Sequence, residues 1–172
     1  GHLVDYLPYS GIYREVFLVE KPLNHLERVH LFADDLAIIK ADTMVLNIQA
    51  QVNDEEADYS LIVKIYDQEK LLLENAFDEP FKAKSDYFLT VENIERWDLD
   101  SPKLYQVVIS LVHQGKVVDE LNEMFGFRTL LFTDHGFYLN NKKIKLMGLN
   151  RHQSYPYMGY AAPKSMQEKD AE

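Results

Sequence analysis

Between residues 43 and 52 the chain reads TMVLNIQAQV, with an apolar residue at every second position. Met44, Leu46, Ile48, Ala50 and Val52 share one face, while Thr43, Asn47, Gln49 and Gln51 fall on the other. A period of two marks an antiparallel strand with one face buried and one in water. SLIVKIYD (60–67) repeats the pattern with Leu61, Val63 and Ile65, and LYQVVISLVH (104–113) with Tyr105, Val107, Ile109 and Leu111. Shorter candidate strands cover 26–33, 70–74, 85–91 and 116–127. The turn signals VNDEEAD, YDQEK, DLDSPK and HQGK separate them. Roughly seven strands between Leu23 and Arg128, with no convincing helix, predict an all-β fold: an antiparallel sandwich of two sheets over about 100 residues.

Composition narrows what such a fold could do. The 172 residues include no cysteine, so an inter-sheet disulfide and a thiol nucleophile are both excluded. The formal net charge of -10 argues against nucleic acid, whose phosphates require clustered Lys and Arg. The acids are scattered, and the densest run, NDEEAD (53–58), reads as a solvated loop. No stretch approaches the ~20 apolar residues of a membrane span. Gly1-His2 read as a cloning remnant, and both termini read as cut.

The flanks differ from the sandwich. SGIYREVFLVEKP (10–22) holds a strand-like run ended by Pro22. GFYLNNKKIKLMGLN (136–150) predicts a hairpin about Asn140-Asn141, residues that tolerate the positive φ of a tight turn. Its second arm alternates at first and then becomes the continuous run LMGL, the character of a strand covered on both faces. A strand over 144–152 would end in Asn150-Arg151-His152, and left uncovered it should fold back on the sandwich or pair with another copy. APKSMQEKDAE predicts a helix start, with Pro163 near the first turn and acids early.

Four stretches together resemble glycoside hydrolase family 2, most closely its β-galactosidases. SGIYREVFLVEKP (10–22) is similar to the last strand of that family's jelly-roll domain. WDLDSPKLYQVVISL (97–111) and EMFGFRTL (123–130) resemble its sandwich signatures, and FYLNNKKIKLMGLNRHQSYPYMGYA (137–161) its approach to a (β/α)8 barrel. The resemblance implies three parts: the tail of a jelly-roll sugar-binding domain (3–22), an immunoglobulin-like β-sandwich (23–130), and the hairpin, first strand and helix start of the barrel (131–172). Arg151 stands where the β-glucuronidase branch carries Lys, which favours the galactosidase branch. Gln153 replaces the family's usual acid, and Asn141 its usual Gly.

Retaining glycosidases use two carboxyl groups about 5–5.5 Å apart. The resemblance places both glutamates on later barrel strands, and no acid of this chain matches either motif, so the chain itself is expected to be inactive. Local substitutes fail: Glu120 and Glu123 point to opposite faces of a strand, and acids such as Glu168 and Glu172 are explained by a helix dipole. The resemblance gives His152 a contact to a sugar hydroxyl, with Arg151 and Asn150 beside it as further substrate-binding candidates. His25, His30, His113 and His135 lack metal-ligand spacing. No cofactor is expected in this chain, and any divalent or monovalent metal ions of the parent would be bound elsewhere. Trp97 reads as packing rather than a sugar platform, and the aromatics of YPYMGY (155–160) as lining a domain interface. The implied partners are a galactoside substrate, the remaining domains of the same chain and further copies in a homo-oligomer, with the bacterial cytoplasm as the implied location. The competing readings are a free-standing immunoglobulin-like module binding carbohydrate or protein, and a fragment of a β-glucuronidase or β-mannosidase.

Overall fold

The computed structural model describes residues 11–35, 42–54, 56–151 and 155–172. Two compact units form. One is Lys21–Lys145, and the other joins the chain's two ends, residues 1–20 and 146–172.

The larger unit is the predicted sandwich. One sheet has the order β1-β2-β5, from Leu26–Asp35, Met44–Val52 and Lys84–Val91. The other has the order β4-β3-β6-β7, from Lys70–Phe81, Tyr59–Asp67, Tyr105–His113 and Lys116–Phe125. Every pairing in both sheets is antiparallel. Each strand turns alternate residues inward. Met44, Leu46, Ile48, Ala50 and Val52 of β2 meet Leu61, Val63 and Ile65 of β3, and Tyr105, Val107, Ile109 and Leu111 of β6, in one buried cluster. Burying each large aliphatic side chain is worth about 1.5–3 kcal/mol, so these three strands carry much of the stability. At the sheet edges, the Leu26 backbone N–H donates to Asp119 of β7 (2.8 Å), tying the first strand of one sheet to the last strand of the other.

Strand β4 runs well past the expected 70–74. Its second half, ENAFDEPF, carries charges and Pro80, which look unfit for a strand. It is an edge strand, where charge and proline are tolerated. The register to β3 jumps from Leu61↔Phe77 to Tyr59↔Phe81, so Pro80 sits within a bulge and Phe81 returns to the core.

The hairpin forms as β8 (Leu130–Thr133), β9 (Gly136–Leu139) and β10 (Lys142–Ile144), in the order β10-β9-β8. Asn140 and Asn141 both take positive φ, 48° and 65°, as a two-residue turn of this kind requires. The expectation of a strand over 144–152 is corrected: the ladder stops at Ile144, opposite Phe137. Beyond that register β9 has only Gly136 left, so residues 145–151 continue without a ladder. Residues 152–154 lie outside the described residues. The run 11–25 also forms no strand.

In the smaller unit, helix α1 spans Lys164–Ala171 after an extended Pro163 at the N-cap (φ −67°, ψ 161°). The expected early acids are absent, since its first turn carries none. Glu168 instead pairs with Lys164 one turn before it (3.5 Å). No helix among the described residues is long and apolar enough to cross a membrane.

Candidate functional site

Asn150 and Arg151 are described and exposed. His152 and Gln153 lie outside the described residues. Arg151 is committed to its own unit: its guanidinium donates to Gln167 Oε1 (2.8 Å), to the Tyr155 hydroxyl (2.7 Å) and to Asp170. The Tyr155 hydroxyl donates to Asp170 as well. The hydrogen bond to Asp170 is the main cause that pushes the Tyr155 phenol up. In return the Asp170 carboxyl is held below its ordinary range, first by the Tyr155 hydroxyl and then, against desolvation, by Arg151. This network fixes the start of the YPYMG turn and the last turn of α1 to one cation.

The turn closes on itself through paired backbone hydrogen bonds, Tyr155 N–H to Gly159 O (3.0 Å) and Gly159 N–H to Tyr155 O (2.9 Å). Tyr157, at φ 68°, is fully exposed at its tip. Tyr160 packs against Tyr13 (5.7 Å between ring centres), and its carbonyl accepts from Arg14. A cavity of about 600 Å³ opens here, lined by Tyr13, Arg14, Ala161, Pro163, Lys164 and Gln167 among others. Residues 12–15 and residues of the 161–167 stretch thus line one pocket of the smaller unit, and neither Asn150 nor Arg151 lines it.

The acids weighed as a catalytic pair are engaged separately. Glu120 accepts from the Ser110 hydroxyl (3.0 Å) and Glu168 pairs with Lys164, while Glu172 stands at the C-cap position of α1. Among the described residues no group of three or more His, Asp or Glu comes together to hold a metal ion.

Trp97 is a packing residue. The Arg128 guanidinium lies over its ring, 4.8 Å from the centre, and its backbone N–H donates to Phe127 O (2.9 Å). A Cβ on Gly126 would come within 2.8 Å of the indole Cδ1. Phe127, with no exposed surface, meets Tyr105 and Phe125 edge-on, at 5.5 and 5.0 Å. The Gly-Phe-Arg stretch thus has a physical reading: the glycine admits the indole, the phenylalanine fills the core, and the arginine covers the ring.

Sequence reasoning missed the cluster that fastens the hairpin to the sandwich. Asp35, at the end of β1, is paired with Arg96 and accepts from Asn141 (2.9 Å) and the Thr129 hydroxyl (3.4 Å). Burial pushes the Asp35 carboxyl up. The hydrogen bonds from Arg96 and Asn141, the guanidinium charge and the Thr129 hydroxyl outweigh that and hold it below the ordinary carboxylate range. Asn140 adds three bonds: its amide donates to Trp97 O (2.9 Å), its side-chain oxygen accepts from Thr129 N–H (3.1 Å), and its backbone N–H donates to Thr129 O (3.0 Å). One sequence signal was available. Asparagine in a position where glycine is easier implies that the side chain has a partner.

Comparison with known proteins agrees with this architecture. The family described as glycosyl hydrolases family 2 matches residues 25–128. Over 177 residues the chain is 37% identical to the β-galactosidase of Thermoanaerobacterium thermosulfurigenes, covering all of this chain and 25% of that protein. Over 175 residues it is 31% identical to the β-galactosidase of Thermoanaerobacter pseudethanolicus, covering all of this chain and 23% of that one. A β-glucuronidase crystal structure from Ruminococcus gnavus superposes with a TM-score of 0.70 at 20% identity, covering 87% of this chain and 24% of that one; at that identity it speaks for the fold alone. The chain spans about a quarter of the length of these curated relatives. On the sandwich topology, the family match over residues 25–128 and the 37% identity to a relative along the whole chain, this chain belongs to glycosyl hydrolases family 2.

Proposed function

We propose that this chain is the middle of a retaining β-galactosidase, in which a non-catalytic sandwich carries the chain into a catalytic barrel. The observation that carries the reading is the 37% identity to a β-galactosidase along the entire chain, which spans a quarter of that protein. In this reading residues 3–22 end a jelly roll, 23–130 are the spacer and 131–172 open the barrel. The two catalytic glutamates, and any metal ions the parent uses, belong to other parts of the same protein. The fastened hairpin supports the role. A spacer sets the position of the next domain only if its last turn is rigid, and Asn140 and Asn141 bind that turn to Trp97, Thr129 and Asp35.

Within the site, Asn150, Arg151 and His152 lie at the rim of the sugar pocket. Arg151 acts there as a positioning residue that holds the following loop against α1, because its donors are taken by Tyr155, Gln167 and Asp170. His152 supplies the contact to a sugar hydroxyl. A β-glucuronidase is the second reading, favoured by a putative β-glucuronidase of Formosa agariphila that is 28% identical over 173 residues.

The test is to read the coding sequence past Glu172, express the extended protein and assay chromogenic β-galactoside and β-glucuronide side by side. Hydrolysis of the galactoside by the extended protein, with none by the 172-residue chain, supports the proposal. Preference for the glucuronide moves it to the second reading. A frame with no barrel-length continuation overturns both.

A further inference from the structure

We propose that the outer face of the β1-β2-β5 sheet is a binding surface for neutral oligosaccharide, centred on Gln49 and Phe88. It stands apart from the galactosidase reading and does not depend on it.

The strand register sets three cross-strand rows side by side on this face: Arg28–Gln51–Lys84, His30–Gln49–Asp86 and Phe32–Asn47–Phe88. Neighbouring rows are two residues apart along each strand, about 7 Å, which is the scale of one sugar ring. The first two rows line an open groove of about 420 Å³. The third presents Phe88, 65% exposed, two residues beyond Asp86 on the same face of β5.

The chemistry of the groove selects the ligand. Arg28 and Lys84 donate, Asp86 accepts, and the Gln51 amide does both. Among the described residues, none of these four side chains has a hydrogen bond or ion pair within the chain. His30 Nδ1 lies 3.3 Å from Gln49 Oε1, a contact that engages the amide oxygen and leaves the Gln49 NH₂ for an outside acceptor. An anion would meet Asp86, and a metal cation would meet Arg28 and Lys84. An apolar partner would strand all three charges without water. Hydroxyl groups, which donate and accept, satisfy the whole set. The exposed Phe88 ring adds an aromatic face for the C–H side of a pyranose, whose slightly positive hydrogens suit a ring's negative face.

The test is a ¹H–¹⁵N titration of the 172-residue chain with two probes, cellotetraose and a β-1,4-linked galactotetraose. The expected result is a set of shifts confined to β1, β2 and β5, with millimolar or tighter affinity for at least one probe. Phe88→Ala and Asp86→Ala should each weaken that binding about tenfold. Both side chains are exposed, so the thermal midpoint should hold and report that the fold is intact. Absence of shifts with either probe at millimolar concentration overturns the proposal. Shifts confined to the 155–160 turn, or affinity unchanged in both variants, do so as well.

Discussion

The sandwich and the two ends of the chain use similar amino acids to opposite effect. In the sandwich, Leu46, Ile48, Leu61 and Ile109 have no exposed surface. In the ends, Phe17 is 78% exposed, Leu18 and Leu149 essentially completely, and Met147 85%. Apolar content therefore does not separate the two regions; availability of partners does. Each sandwich strand has a neighbour in its sheet and a second sheet above it. Residues 12–19 and 145–151 have no ladder among the described residues. Contiguous exposed apolar surface in a folded protein marks a place where something else is meant to pack, which is what the spacer proposal requires.

The strongest way to break the comparison is to make the sandwich behave like the ends. Phe127→Ala empties a site ringed by Tyr105 and Phe125. It should cost about 3–5 kcal/mol, a large part of a small domain's stability, read as a fall in the urea midpoint at unchanged slope. Gly126→Ala works from the other side, by crowding. Its Cβ would lie 2.8 and 2.9 Å from two Trp97 atoms, inside any normal contact. A loss of about 1–3 kcal/mol is expected, and Trp97 fluorescence should shift with it.

The Asp35 cluster sharpens the comparison with pH, because it joins the sandwich to the hairpin that leads out of it. The Asp35 carboxyl is depressed in the folded protein, so its pairing contributes fully above the unfolded value of about 4. That contribution is lost as pH falls through the lower folded value. Stability should therefore fall on acidification through that window. Asp35→Asn should flatten this part of the profile, and at neutral pH should cost about 1–3 kcal/mol by leaving Arg96 and the Asn141 amide poorly matched. An unchanged acid limb in the variant would remove Asp35 as the pH-sensitive fastening.

The same contrast explains what could be read from sequence. Strands β2, β3 and β6 were legible because one face of each is buried, and burial writes a period of two into the residues. The second half of β4 was not, since an edge strand tolerates the charges and proline that look like a loop. The run to residue 152 looked like a strand because apolar content reports a need for cover, whereas a ladder needs a neighbour, and β9 ends too soon to provide one. The candidate site divides in the same way. Asn150, Arg151 and His152 could be picked out by family resemblance. Asp170 and Gln167, which hold Arg151, are ordinary helix residues whose role depends on where the chain turns back. The Asp35–Arg96–Asn141 fastening joins three segments distant in sequence, so the local pattern signals that the turn asparagines have partners but not which ones.

The smallest expected effect on stability is the most pointed test of the difference between the regions. Leu149 is 99% exposed, so Leu149→Ser removes almost no buried surface, and the unfolding free energy of the 172-residue chain should change by less than about 0.5 kcal/mol. Exposed apolar segments next to unpaired backbone invite self-association, so light scattering should fall in the same variant. In an extended protein of the proposed kind the effect on stability grows. There the leucine would be covered by neighbouring strands, and serine would cost several times more, through lost burial and a hydroxyl without water. Equal effects in the two lengths would mean that nothing packs on this segment, and the exposed ends would then be a property of the chain rather than a contact surface awaiting its other half.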